Sequence, residues 1–356
     1  MIESYKIQRY LDFWRGTEVD RPLLSFSLRS YFPLSGYPAA QKLGRPGQSL
    51  DPDAISPEAF FADYRQLVEE SLLLEDDGIR SISPLPALPW VEAIAGAKVV
   101  LAEDSIWAAE LNLPREALDH FHMEESNRWF LKLLEFTRYL QETFGERCLI
   151  GLPILRGVSD LMVILRGHAE LILDSCDQPE AIGRLGLACA GLIHKITEAQ
   201  HGITAGKNEG HGVELFHLWA PGKIMRFQED NACLYSPDLF RKVVLPADDY
   251  LSRVYPFSMI HFHSNSLFMI DPFLDLPDLK VVQVSQDVGG PSLEEQLPSL
   301  LKIRARGKGL LLRGFFMPEQ LDFLRRNLAP AGLFIQTVLE TPADRKQYDR
   351  FFEPWR

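Results

Sequence analysis

Short apolar runs and longer amphipathic stretches alternate along almost all of the 356-residue chain, the pattern of repeated βα units. The runs that read as strands are Pro22–Leu28, Gly78–Ser83, Cys148–Leu155, Val213–Leu218, Met259–His263, Val281–Ser285, Leu310–Leu312 and Leu333–Val338. Several are continuously apolar, as strands buried on both faces of a parallel sheet tend to be. Helices are expected between them. Pro57–Glu75 has Ser56 as N-cap, proline at its first position and a stripe of Phe60, Phe61, Tyr64, Leu67 and Val68. Asn127–Phe144 stops at Gly145, and Gln178–His201 follows Asp177 as a cap. Pro237–Tyr255 should kink or split at Pro246, while Ser292–Arg306 ends at Gly307 and Pro318–Leu328 follows the seventh strand. The pattern predicts one (β/α)8 TIM barrel domain over residues 1–356, with a short N-terminal extension over about 1–21. A doubly wound open sheet is the alternative.

Candidate chemistry concentrates on the fifth run. In Ser258-Met-Ile-His-Phe-His-Ser-Asn265, alternation sends both His261 and His263 to one face and Phe262 to the other. Residues two apart on a strand lie roughly 6.5–7 Å apart, close enough to share a metal ion or a substrate. In a barrel, functional groups gather at the C-terminal strand ends. That rule selects Arg29, Arg156, Trp219, Asp230, Asp287, Arg313, Gln336 and Glu340 beside the two histidines. Arg313 interrupts Leu-Leu-Leu-Arg-Gly at a strand end, where an arginine usually meets an interior carboxylate or an anionic substrate.

Composition narrows the function classes. The apolar and charged fractions, 46% and 24%, are those of an ordinary globular protein. A net charge of −12 without a basic stripe argues against a nucleic-acid partner. The four cysteines, Cys148, Cys176, Cys189 and Cys233, form no paired framework, so a reduced, cytoplasmic protein is expected. No run approaches the roughly 20 apolar residues of a membrane span.

Three segments resemble the uroporphyrinogen decarboxylase superfamily: Gly157–Asp174 followed by Gln178-Pro-Glu180, Tyr235-Ser-Pro-Asp-Leu-Phe through Pro246, and Ile260-His-Phe-His-Ser-Asn265. The resemblance runs from about residue 78 to the C-terminus and implies a (β/α)8 barrel. One branch decarboxylates uroporphyrinogen without metal. The other transfers a methyl group between a corrinoid and a thiol activated on zinc, held by His-x-Cys on strand five and a cysteine on strand eight. Matched residue by residue, His261 corresponds to that histidine, and His263 takes the place of the cysteine. Gly332–Glu340 contains no cysteine, so a carboxylate such as Glu340 or Asp230 would complete the set. Iron accepts the same donors.

The decarboxylase branch carries an Arg-Gln-Ala-Gly-Arg segment, where this chain has Ser25-Phe-Ser-Leu-Arg29-Ser-Tyr-Phe. The resemblance therefore implies a metal-dependent, methyltransferase-like enzyme of the corrinoid branch. His261, His263 and Glu340 would hold zinc, and Asp230 and Arg313 would act in catalysis. Arg29, Arg156, Trp219 and Gln336 would bind substrate. The corrinoid would come from a partner protein, and a homodimer is the expected assembly. The alternatives are a metal-free decarboxylase or related lyase, and a ligand-binding barrel without turnover.

Overall fold

A computed structural model describes residues 2–28, 34–118, 121–204 and 210–355. Its centre is a parallel sheet. We label the parallel strands β1 (Leu23–Leu28), β2 (Ser81–Ile82), β3 (Leu149–Ile150), β4 (Ile224–Gln228), β5 (Phe257–His263), β6 (Val281–Ser285), β7 (Gly309–Gly314) and β8 (Leu333–Leu339). Six are hydrogen-bonded in the order β1-β8-β7-β6-β5-β4, and β2 pairs separately with β3. Helices lie between successive strands, giving a mixed α/β fold with many helices.

The helix expectations hold in most places, with instructive shifts. Asn127 caps Arg128–Phe144 by accepting from the Trp129 and Phe130 amides at 3.0 Å each. The Pro237 helix does split, into Pro237–Val243 and Leu245–Arg253, with Pro246 early in the second piece where a missing N–H costs nothing. Pro57–Phe60 forms a 3-10 turn before the α-helix Phe61–Ser71, because the Ser56 hydroxyl bonds Glu58 at 2.6 Å and does not cap the helix. Asp177 ends the helix His168–Asp177; it does not cap the next one, Pro179–Thr204.

One strand was misplaced. Val213–Leu218 is not a strand: His211–Val213 and Leu218–Ala220 pair antiparallel, and the chain reverses through Glu214–His217, with His217 at φ 48°. The sheet is continued by β4, whose sequence Ile-Met-Arg-Phe-Gln hides a buried strand because Arg226 and Gln228 occupy its inward positions.

Alternation along the strands divides the core in two. Leu24, Phe26, Met225, Phe227, Ile260, Phe262, Val282, Val284, Leu310, Leu312 and Ile335 face the helices in the larger cluster. Leu23, Ile224, Met259, Val281, Leu311 and Phe334 point the other way and form an inner cluster with Tyr10 and Phe13. The first residues of the strands thus build an apolar floor. The next inward positions, Ser25, Arg226, His261, Gln283, Arg313 and Gln336, are polar.

The N-terminal helix Ser4–Arg15 seals this floor. Tyr10 and Phe13 meet Phe334 edge-on at 5.8 and 5.9 Å, and Trp14 meets Phe257 at 4.9 Å. The fully buried Tyr10 donates its hydroxyl to the His217 carbonyl at 2.5 Å and accepts from the Ile79 amide at 3.4 Å. Tyr10→Phe leaves both groups unpaired and should cost about 1–3 kcal/mol. Tyr10→Ala also opens a cavity and should cost roughly 3–5 kcal/mol, both read by urea denaturation. An unchanged midpoint in both variants would show that the helix is not part of the cooperative unit.

Candidate functional site

His261 and His263 emerge on the same face at the C-terminal end of β5, their rings 4.8 Å apart between centroids and 75° from coplanar. His261 is buried, and its ring stacks on Phe216 at 5.6 Å. Its Nδ1 meets the side-chain oxygen of Gln283, its register partner on β6. The Gln283 amide nitrogen donates to Ser285 Oγ at 3.1 Å, which turns the oxygen toward the histidine. An oxygen accepts, so Nδ1 carries the hydrogen and Nε2 keeps its lone pair. Burial, then the Arg226 guanidinium and the neighbouring His263, hold His261 well below the ordinary imidazole pKa, so the ring is neutral at pH 7.

His263 follows the same logic with a stronger acceptor. Its Nδ1 donates to Asp287 Oδ1 at 2.6 Å. The other oxygen of Asp287 accepts from Ser264 Oγ at 2.9 Å and the Asn265 amide at 3.0 Å. Burial raises the Asp287 pKa, but those donors outweigh it and keep the carboxyl below its ordinary value. Both histidines therefore have their Nδ1–H committed.

The free Nε2 of His263 faces Asp230, 3.9 Å from Oδ1. One donor atom each from Asp230, His261 and His263 lies within 4.8 Å of the others, and this is the metal-competent group found among the described residues. Tetrahedral zinc at about 2.1 Å per bond needs donor separations of roughly 3.4 Å, so a small inward closure would suffice. Two imidazoles and a carboxylate also suit iron.

Asp230 stands two residues beyond β4 and is held from below. Its Oδ2 accepts from Gln228 Nε2 at 2.7 Å and lies 3.7 Å from Arg156 Nη1. The buried Asp160 accepts from Gln228 Nε2 at 3.2 Å, and from the Asn231 amide and side chain at 3.0 and 2.8 Å. The helix Val158–Arg166 can approach this closely because of Gly157: a Cβ there would sit 1.3 Å from the Gln228 carbonyl oxygen. Arg156 also reaches Glu92 Oε1 at 3.3 Å, and burial pushes the Glu92 carboxyl up to about 7 against that pull.

The remaining candidates separate. Glu340 is exposed one residue past β8 and stays outside the cluster, so the carboxylate beside the histidines is Asp230. Trp219 is 1% exposed and packs against Tyr10, and its carbonyl accepts from Trp14 Nε1 at 2.7 Å. Trp14 meets Phe257 edge-on at the start of β5, roughly 20 Å along the strand from His263; Trp219 belongs to the floor, away from the histidines. Arg313 and Gln336 are register partners facing inward on β7 and β8. Arg29 lies outside the described residues. Sequence reasoning gave no role to Gln283, Gln228 or Asp160. A glutamine within an apolar strand, as in Val-Val-Gln-Val-Ser, was the available signal.

No family model matches the sequence, and no curated protein matches it. Among solved structures, a methyltransferase from Methanosarcina mazei is similar over 96% of this chain and 98% of its own, with TM-score 0.62 and 14% identity. The Bacillus subtilis mannanase Man26 is similar over 98% of this chain and 90% of its own, with TM-score 0.39 and 11% identity. The first likeness shows a shared fold. Among the described residues no helix is long and apolar enough to cross a membrane.

Glu214 makes the electrostatics of the interior testable. Burial raises its pKa from 4.5 to about 7, against the pull of Arg313. A carboxyl raised in this way contributes stability that is complete below pH 4.5 and is lost as pH rises through about 7. Glu214→Gln should therefore match the wild type at pH 5 and exceed it at pH 8 by about 1–3 kcal/mol. Thermal melts at the two pH values decide this, and a variant less stable at pH 8 would contradict it.

Proposed function

We propose that the chain is a metal-dependent, methyltransferase-like enzyme with a closed (β/α)8 barrel, from the corrinoid branch of the uroporphyrinogen decarboxylase superfamily. The observation that carries this reading is the pair of histidines whose Nδ1–H groups are both committed, to Gln283 and to Asp287, while Asp230 faces the remaining nitrogen of His263. Metal-binding histidines characteristically donate their second ring N–H to a carboxylate or carbonyl oxygen, which fixes the tautomer and the ring orientation. The fold shared with a methyltransferase and the strand-five motif support the same reading.

Asp230, His261 and His263 would hold zinc or iron. When bound, such an ion supplies Lewis acidity and lowers the pKa of a coordinated thiol. Gln283 and Asp287 keep both imidazoles aimed. Gln228 orients Asp230, and Arg156 balances its charge from the solvent side. A corrinoid would come from a separate protein docking at the strand ends. A metal-free decarboxylase is the second reading, favoured by the inward-facing Arg226 and Arg313.

Metal analysis separates the two. Protein purified without added metal or chelator should carry near-stoichiometric zinc or iron, and His261→Ala/His263→Ala should carry little. Asp287→Asn should weaken metal affinity about 10–100-fold in chelator competition without unfolding the protein. Absence of metal from the wild type, even after reconstitution, would sink the metal reading. Chelator-resistant turnover would then favour decarboxylation.

A further inference from the structure

The polar layer above the floor is satisfied on one side and unsatisfied on the other. Around β5 and β6, Gln283 bonds His261 and Ser285, and Asp287 bonds His263. Around β7, β8 and β1 the partners are missing. Gln336 is fully buried, yet among the described residues neither its side-chain oxygen nor its nitrogen has a hydrogen-bond partner. Buried Ser25 Oγ, its neighbour in register on β1, has none either. Arg313 stands directly opposite Gln336 on β7. Its Nε is buried without a partner, and its guanidinium enters no ion pair among the described residues. The buried Glu214 acts electrostatically on Arg313 without pairing with it, and Glu214 Oε2 is unpartnered too.

Buried polar atoms are almost always paired, and each one left without a partner carries a desolvation cost. A cluster of them facing one space marks a place shaped for a guest. From this geometry we infer that Arg313, Gln336 and Glu214 form the recognition subsite for a small carboxylic acid bearing an adjacent amino or hydroxyl group. The Arg313 fork and the Gln336 amide nitrogen suit a planar carboxylate. Glu214 and the Gln336 oxygen suit the neighbouring donor. Burial pushes Glu214 up to about 7, so it can also present a proton to a hydroxyl. Arg313 keeps partial exposure, which leaves the subsite reachable.

The location fits a reaction at the histidines. Arg313 is opposite Ser285, and Ser285 is opposite His263. Two strand spacings, roughly 10 Å, separate the anchor from the metal-competent group, so the reacting atom lies only a few bonds from the carboxylate. The inference deepens the proposed function by naming the substrate class. Its test is run on metal-free protein, so that its failure and the failure of the metal reading can be told apart.

The probes are L-alanine, L-lactate, propionate and ethylamine, titrated by saturation-transfer NMR into the metal-free wild type and into His261→Ala/His263→Ala. L-alanine or L-lactate should bind both proteins at least tenfold more tightly than propionate and ethylamine. Preference for alanine would assign an amino acid, and preference for lactate a hydroxy acid. Arg313→Met should weaken binding at least tenfold while Tm holds or rises, since it removes a partly buried cation that enters no ion pair among the described residues. Gln336→Leu gives the same reading should Arg313→Met fail to fold. Absence of binding by all four probes, equal binding of propionate, or unchanged affinity in both variants would overturn the inference.

Discussion

The period-two alternation of parallel strands is the constraint from which the rest of the molecule follows. Each strand must send alternate side chains toward the helices and toward the interior. The outward set is apolar apart from Ser258 and Thr337 and binds the helices to the sheet. The inward set changes character along the strand, from Leu23, Met259, Val281, Leu311 and Phe334 in the floor to Ser25, His261, Gln283, Arg313 and Gln336 above it. A single register shift would exchange these faces and bury the histidines among helices. The position of the chemistry is therefore set by the same pairing that holds the sheet together.

How far each feature could be read from sequence depends on how cleanly its residues obey that alternation. The His261 and His263 pair was legible because the flanking Ile260 and Phe262 mark the outer face without ambiguity. β4 was not, because its inward residues Arg226 and Gln228 break the apolar run that signals a buried strand, and the real reversal at Glu214–His217 sits inside a run that does look apolar. Asp230 could be placed near the histidines only through its position before the Ser-Pro segment. Glu340 is equally eligible on the sequence, which gives the strand end but not the direction in which a side chain leaves it. The N-terminal helix was invisible as a structural element: its role depends on which cavity it closes, and that is a property of the assembled sheet.

The polar layer shows two ways of handling buried hydrogen-bonding groups. At β5 and β6 the polar side chains are paired: Gln283 serves His261 and Ser285, and Asp287 serves His263, Ser264 and Asn265. Such closure fixes rotamers and tautomers. At β7 and β8 the groups are as deeply buried but unclosed. Unclosed groups lower stability, and proteins keep them where binding repays the cost. One half of the interior is pre-organised, and the other is receptive.

Charge ties the two halves together. Arg156, Arg226 and Arg313 surround the site, against Asp230 and Asp287 in its immediate circle. Burial pushes Arg226 and Arg313 each down to about 10, still far above neutral pH, so both remain cationic. Their field falls on His261 and opposes its protonation. A histidine that must offer a lone pair competes with protons for that pair, and a cationic, desolvated setting settles the competition before any ligand arrives. The same cations would repel a second metal ion and attract an anionic substrate. The arginines need not touch the reacting atoms to determine what can enter and in which protonation state it is met.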